Sequence, residues 1–250
     1  AEQNKMEFLR SLPIKDTIES LLRDGVFILD DEAVGAEIDK FHEGEFPTNT
    51  PSGLEFLARN TLEREDIKEV CESILRKPQW GFIKIYGSKL PAGYVYRFHP
   101  GSPLETNTVT VLLCSPDSEF VLWKGSTTIG VETDDENKNM SRDSPTIRIK
   151  MDDEDMAVSK QWGLLAAKER LFREVGIYGN VVTLESGGLA LSDCRLGFQI
   201  RRGYAIFIGF TTESQVLSWG KMKMPYSDAL NVKIEELKRR GFHINQIWTN

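Results

Sequence analysis

The chain has 250 residues and a formal net charge of −7, and 40% of its residues are hydrophobic. Its length suffices for one large domain with a sizeable core. The acidic balance, with no long run of Lys or Arg, argues against a nucleic-acid partner. No apolar run approaches the roughly 20 residues of a membrane-spanning helix, so we expect no membrane association. Three widely spaced cysteines suit a reducing compartment, and we expect a cytoplasmic protein.

The N-terminal third predicts helices around one short strand. Apolar residues recur at helical spacing, Gly25 follows the first helix, and Asp30 or Asp31 can cap the second. These N-terminal helices are expected within about 14–76. The predicted elements are a helix over 17–23, a strand over 26–29, a helix after Asp31, a loop over 43–52 and an amphipathic helix over 62–76.

The middle of the chain predicts a mainly antiparallel sheet. Four short apolar runs alternate with turn residues, and they lie at 82–86, 93–98, 109–114 and 120–123. An acidic insertion is predicted over about 132–158, with 152–155 interpreted as a solvated loop because the EF-hand spacing is absent. A helix over 162–172 is expected to follow it. A C-terminal helix over about 227–240 is predicted, with Ser227 as its cap.

The stretch 187–219 predicts the strands around which the fold is organised. Apolar runs at 196–200 and 204–210 flank the turn Arg201-Arg202-Gly203, which is the pattern of a hairpin. A preceding strand is indicated by Leu189 and Leu191, and 216–219 is interpreted as the start of another. The prediction is a mainly β jelly roll with flanking helices, forming a single domain over 1–250.

Three phrases resemble the iron(II)- and 2-oxoglutarate-dependent oxygenases, in particular the phytanoyl-CoA dioxygenase-like branch and a group of fungal proteins of the same architecture. The phrases are LLRDGVFILDDEAVGAEIDKF, YRFHP with FVLWKGST, and GGLALSDCRLGFQIRRGYAIFIGF. The resemblance implies a double-stranded β-helix. It also implies a metal site of two histidines and one carboxylate, which leaves open positions on iron for 2-oxoglutarate and oxygen.

The implied metal site is incomplete in this sequence. His99 matches the first histidine, but Gly101 stands where the carboxylate is expected, and 211–215 contains no histidine after the 204–210 strand. Halogenating members of the superfamily also lack the carboxylate, but they keep the distal histidine. We therefore expect no metal and no cofactor. The alternative is an active dioxygenase with a non-standard iron site formed by His99 and Glu213.

Six residues are candidates for a site inside the barrel. His99 is predicted as a general acid or base, with Glu213 as the complementary carboxylate. The predicted substrate-binding residues are Arg97, Trp123, Lys221 and Lys223. Two alternatives stay open: His99 as a core residue bonded to backbone, and the two lysines as the wet face of a strand.

The expected function is non-oxidative chemistry, of the isomerase or cyclase type, on a small-molecule ligand held in the barrel. A second hypothesis is a pseudoenzyme that forms a homodimer or binds an active oxygenase subunit. That hypothesis places the contact at Trp219, Phe242 and Trp248.

Overall fold

Two five-stranded antiparallel sheets pack face to face in the computed structural model, which describes residues 11–98, 106–132 and 147–249. The major sheet contains β1 (Val26–Asp30), β2 (Gln79–Gly87), β4 (Thr108–Cys114), β10 (Gly188–Asp193) and β12 (Tyr204–Thr211), in the order β1-β10-β4-β12-β2. The minor sheet contains β3 (Tyr94–Arg97), β5 (Ser118–Trp123), β8 (Leu165–Lys168), β9 (Asn180–Leu184) and β11 (Gly197–Arg202), in the order β8-β3-β11-β5-β9. This arrangement is the predicted double-stranded β-helix.

Helices and two small sheets surround this body. The helices are α1 (Ile14–Asp24), α2 (Glu32–Glu43), α3 (Pro51–Arg59), α4 (Glu65–Leu75), α5 (Asp153–Trp162), α6 (Glu169–Glu174), α7 (Glu213–Val216) and α8 (Asp228–Arg239), with one 3-10 turn at Ser126–Thr128. The small parallel sheets pair β6 (Gly130–Glu132) with β7 (Arg148–Lys150) and β13 (Met222–Pro225) with β14 (Gln246–Thr249). None of the helices in the described ranges is long and apolar enough to cross a bilayer.

The core forms three apolar layers. The outer face of the major sheet packs against the N-terminal helices and α8, so that Ile206 and Ile208 of β12 share one buried cluster with Ile38 of α2 and Ile234 of α8. A second cluster lies between the two sheets. A third covers the outer face of the minor sheet with β6, β7 and α6. Strands of the major sheet are therefore apolar on both faces, which explains their nearly continuous hydrophobic runs.

The predicted hairpin over 196–210 is wrong. β11 pairs with β3 and β5, whereas β12 pairs with β2 and β4, so the turn at Gly203 carries the chain from one sheet to the other. Gly203 has φ 74°, and a Cβ there would lie 2.8 Å from Ser118 Cβ. Two neighbouring apolar runs predict two buried strands, but they do not determine whether the strands share a sheet or face each other across a core.

Several local predictions are confirmed and others are corrected. Gly25 ends α1 in the left-handed region, Asp31 caps α2, and Ser227 caps α8. The segment 152–155 is not a solvated loop, because Asp152 and Asp155 form a capping box that opens α5. The expected helix over 162–172 is split into β8 and α6, and 216–219 does not begin a strand. α3 lies partly in the segment expected to be a loop. Residues 133–146 of the predicted acidic insertion lie outside the described residues.

Gly35 marks the closest approach of α2 to the major sheet. A Cβ on Gly35 would lie 2.0 Å from the carbonyl oxygen of Ser186, in the turn that leads into β10. We expect Gly35→Ala to lower the free energy of unfolding by about 1–3 kcal/mol, because α2 must move outward despite the better helix propensity of alanine. Urea titration measures this loss.

The matched control for this prediction is Gly44→Ala, at the C-terminal end of the same helix. A Cβ on Gly44 would meet its nearest neighbour at 3.5 Å, which is an ordinary contact. Equal stabilities of the two variants would show that α2 is not held against the turn at Ser186.

Candidate functional site

The end of β3 is where the sequence predicts the site, because His99 follows Phe98 there. His99 itself lies outside the described residues. The amide of Phe98 donates to the carbonyl of Cys194 at 3.2 Å, and Tyr96 is in register with Phe198 on β11. The β3 end therefore meets the turn between β10 and β11. The segment 211–215, where the distal histidine is expected, lies at and after the end of β12, in the other sheet.

A buried polar cluster occupies this turn. Asp193 accepts hydrogen bonds from Arg195 Nε at 2.9 Å, Arg195 Nη2 at 2.6 Å and the Thr106 hydroxyl at 2.7 Å. The backbone amide of Arg195 also donates to Asp193 at 2.9 Å. Only 2% of the Asp193 side chain and 8% of the Arg195 side chain are exposed. Sequence reasoning missed this pair. The sequence signal for the pair is an acidic and a basic residue, two positions apart, between two apolar runs.

Aromatic rings fill the space between the sheets next to this cluster. Phe98, Phe198 and Phe207 contact one another with centroids 5.0–5.6 Å apart, and Tyr86 and Phe82 extend the group. The cavity beside them has a volume of about 20 Å³. That is room for about one water, whereas small-molecule sites usually enclose about 300–1,000 Å³. In the described part of the barrel, side chains fill the pocket that the sequence predicts.

Arg97 faces away from the barrel interior. Its guanidinium donates to the carbonyls of Ile129 at 2.8 Å and Ser126 at 2.6 Å, and it lies 5.1 Å from the centre of the Phe172 ring. Burial, reinforced by nearby Arg195, lowers the pKa of Arg97 to about 9. Tyr94 and Tyr96 of β3, and Phe98 directly after it, face inward. Arg97 therefore belongs to the outer layer, where it is buried in the core. It is not positioned to bind a substrate in the barrel.

Trp123 belongs to the same outer layer as Arg97. Its ring packs against Phe172 with a centroid distance of 5.6 Å, and 1% of the residue is exposed. The strand FVLWKGST alternates its side chains between the two faces of the minor sheet, and Phe120 and Leu122 face inward. A ligand inside the barrel would therefore contact Leu122 and not Trp123.

The other three predicted site residues lie on the exterior. Glu213 begins α7 and is exposed, and it lines a surface groove and not the internal cavity. Lys221 precedes β13 and Lys223 lies within it, and both are exposed. Met224, the next residue of β13, is instead buried in the core cluster on the outer face of the major sheet. Of the two interpretations of the lysines, their exposure matches the solvent-exposed face of a strand.

The described residues at the β3 end do not by themselves supply the three donors that iron of this kind needs. Among the described residues, no group of three or more His, Cys, Asp or Glu side chains is placed to hold a metal ion. Asp193 is already bound to Arg195 and Thr106, and burial raises the pKa of the Cys194 thiol to about 12. His42 instead stacks on Phe46, outside the barrel, and His243 is exposed. Among the described residues, these donors do not form a facial triad.

No protein-family model and no curated protein sequence matches the chain. Solved structures with a similar fold include the non-heme alpha-ketoglutarate-dependent epimerase SnoN from nogalamycin biosynthesis, with TM-score 0.47, 11% identity and coverage of 80% of this chain and 83% of SnoN. The carbocyclase SnoK has TM-score 0.45, 14% identity and coverage of 79% and 83%. EctD from S. alaskensis has TM-score 0.45, 13% identity and coverage of 80% and 77%. The strand order of the two sheets by itself identifies the double-stranded β-helix.

Proposed function

We propose that this chain is a divergent relative of the iron- and 2-oxoglutarate-dependent oxygenases that no longer binds iron and acts by binding a partner. The observation that carries the proposal is the contact of Phe98, Phe198 and Phe207 at the β3 end. The described cavity beside these rings has a volume of about 20 Å³, which supports the proposal because a metal with its co-substrate and a substrate needs more room. The resemblance of the sequence phrases to the superfamily supports the relationship.

The polar groups at the β3 end support a structural role. A catalytic iron of this kind needs three ligands on one side and open positions on the other. Asp193 is the buried carboxylate nearest the Phe98–Cys194 contact, and it accepts four hydrogen bonds, three of them from Arg195. Its lone pairs are therefore committed to holding the β10–β11 turn.

Exposed apolar side chains near the C-terminus support the partner-binding form of the proposal. Leu217 is 83% exposed, Tyr226 is 55% exposed and Ile247 is 49% exposed. Trp248 packs edge-on against Tyr226 and remains half-buried, whereas Phe242 is buried in the core. The surface used by a homodimer or an oxygenase subunit is then formed around Tyr226 and Ile247, without Phe242. Light scattering of the purified wild-type chain, and separately of the Ile247→Lys variant, measures self-association.

We expect the purified chain to bind iron only substoichiometrically. Anaerobic reconstitution with Fe(II) and 2-oxoglutarate, followed by desalting and elemental analysis, measures the bound metal. Calorimetric titration with 2-oxoglutarate in the presence of Ni(II) tests the co-substrate in the same preparation.

Two histidine variants show what any bound metal would mean. One iron per chain that is lost in His99→Ala, but kept in His243→Ala, would contradict the proposal, because it would place a metal at the β3 end. Metal lost only in His243→Ala would indicate an exterior site and leave the proposal standing.

A further inference from the structure

A surface concavity lies outside the barrel, between the C-terminal ends of α4 and α8. It has a volume of about 530 Å³, within the range of small-molecule sites. Leu62, Pro78 and Phe242 contribute apolar surface to it. One wall is rigid, because the amide of Trp80 donates to the carbonyl of His243 at 2.9 Å and Asn245 donates back to Trp80 at 2.9 Å. We call this concavity the basic groove, after its charged lining residues Lys68, Glu72, Arg76, Lys77, Glu213 and Arg240.

Positive charge predominates in the basic groove although the whole chain carries −7. Four of the six charged side chains just named are cationic. Arg240 is engaged in ion pairs with Glu55, Glu63 and Glu236. Lys68, Arg76 and Lys77, in contrast, have no ion-pair partner within 4.0 Å among the residues that the structure describes. Three cations are therefore available to an anionic ligand.

Arg76 occupies a backbone conformation that is unfavourable for arginine. Its φ is 61° and its ψ is −66°, and the amide of Lys77 donates to the carbonyl of Leu75 at 2.8 Å. This is a γ-turn of the rare, strained type. Glycine adopts such angles without a steric penalty, and strained non-glycine residues concentrate at functional sites. The strained turn lies at the edge of the groove and carries the Arg76 side chain.

We propose that the basic groove binds a small polyanion bearing phosphate or carboxylate groups, with Arg76, Lys77 and Lys68 as its charged contacts. The helix dipoles of α4 and α8 favour cations at these termini, but they do not explain a cavity of this size or the strained turn at Arg76. Glu72 and Glu213, which also line the groove, oppose the charge of the ligand. The site does not depend on whether the barrel binds iron.

Calorimetric titration of the full chain with inorganic pyrophosphate and, separately, with citrate tests the site at low ionic strength, where screening is weak. We expect saturable binding of at least one probe. Preferential binding of pyrophosphate would identify phosphate groups, and preferential binding of citrate would identify carboxylates. Lys77→Gln is expected to weaken binding about tenfold, whereas Glu213→Gln should tighten it. Lys84→Gln, an exposed lysine farther along β2, is the matched control and should leave the affinity unchanged.

Arg76→Gly separates loss of binding from loss of folding. The substitution removes the cation and relieves the backbone strain of the γ-turn. We therefore expect weaker binding together with a rise in Tm of about 2–4 °C. The inference is overturned if wild type shows no saturable binding of either probe in the millimolar range. It is also overturned if Arg76→Gly and Lys77→Gln bind as tightly as Lys84→Gln.

Discussion

Phe207→Ala is expected to lower the free energy of unfolding by about 3–5 kcal/mol, the usual cost of removing a fully buried phenylalanine ring. Phe207 is 1% exposed, and its ring contacts Tyr86, Phe98 and Phe198 at centroid distances of 5.8, 5.0 and 5.1 Å. Both sheets contribute to this group, so the cavity cannot close without moving one sheet toward the other. Urea titration followed by tryptophan fluorescence measures the loss.

Leu217→Ala is the control for this prediction, because Leu217 is 83% exposed and its truncation should change the stability by less than about 0.5 kcal/mol. A loss below about 1 kcal/mol in Phe207→Ala would mean that the rings do not form a packed core. The interior would then be open enough for a ligand, and the proposed function would lose its main support.

Asp193→Asn is expected to cost about 3–5 kcal/mol, because it removes the carboxylate that pairs with the buried Arg195 guanidinium. Asparagine keeps the shape of the side chain but presents one acceptor oxygen in place of two charged ones. The same unfolding titration applies. Thr106 also loses its 2.7 Å hydrogen bond to the charged oxygen, which adds to the cost.

A double-mutant cycle with Arg195→Met tests whether the two charges act as a pair. The double variant should be more stable than the sum of the single losses predicts, because neither charge is then buried alone. Additive losses would indicate that Asp193 and Arg195 stabilise the turn independently. The cycle also bears on the site, since a weak pair would leave Asp193 free to bind a metal.

Most strands of the two sheets and several helix caps could be predicted from local patterns, but β8 was expected to be helical and β9 was not predicted. The apolar runs at 109–114 and 204–210 correspond to β4 and β12, and of the two aspartates predicted as possible caps of α2, Asp31 is the cap. Such features depend on neighbours within a few residues, so composition and periodicity reveal them. α5 was missed because its first turn is acidic, although the capping box of Asp152 and Asp155 is a local signal.

The candidate site could be predicted only in part. Gly101 and the histidine-free segment 211–215 indicated an incomplete metal site, but the partner of the β3 end was sought after β12. The structure instead places the β10–β11 turn there, with Phe198 in register with Tyr96. Glu213, assigned to the barrel, lines the exterior groove. Because side chains alternate between the two faces of β3, the sequence left open whether Arg97 faces inward or outward. Its contact with the Phe172 ring shows that it faces outward.

By itself, the sequence determined that this chain folds as a mainly β barrel with flanking helices, because the spacing of its apolar runs and turn residues predicts those elements. The resemblance of its phrases to the oxygenases added the expectation of an iron site and, with Gly101 and 211–215, the expectation that its ligands are incomplete. Only the tertiary structure decided which sheet each strand joins, which face of β3 is inside, and that aromatic rings fill the interior. Those outcomes depend on contacts between residues far apart in the chain, such as Phe98 with Phe207 and Arg97 with Ile129, and no local pattern encodes them.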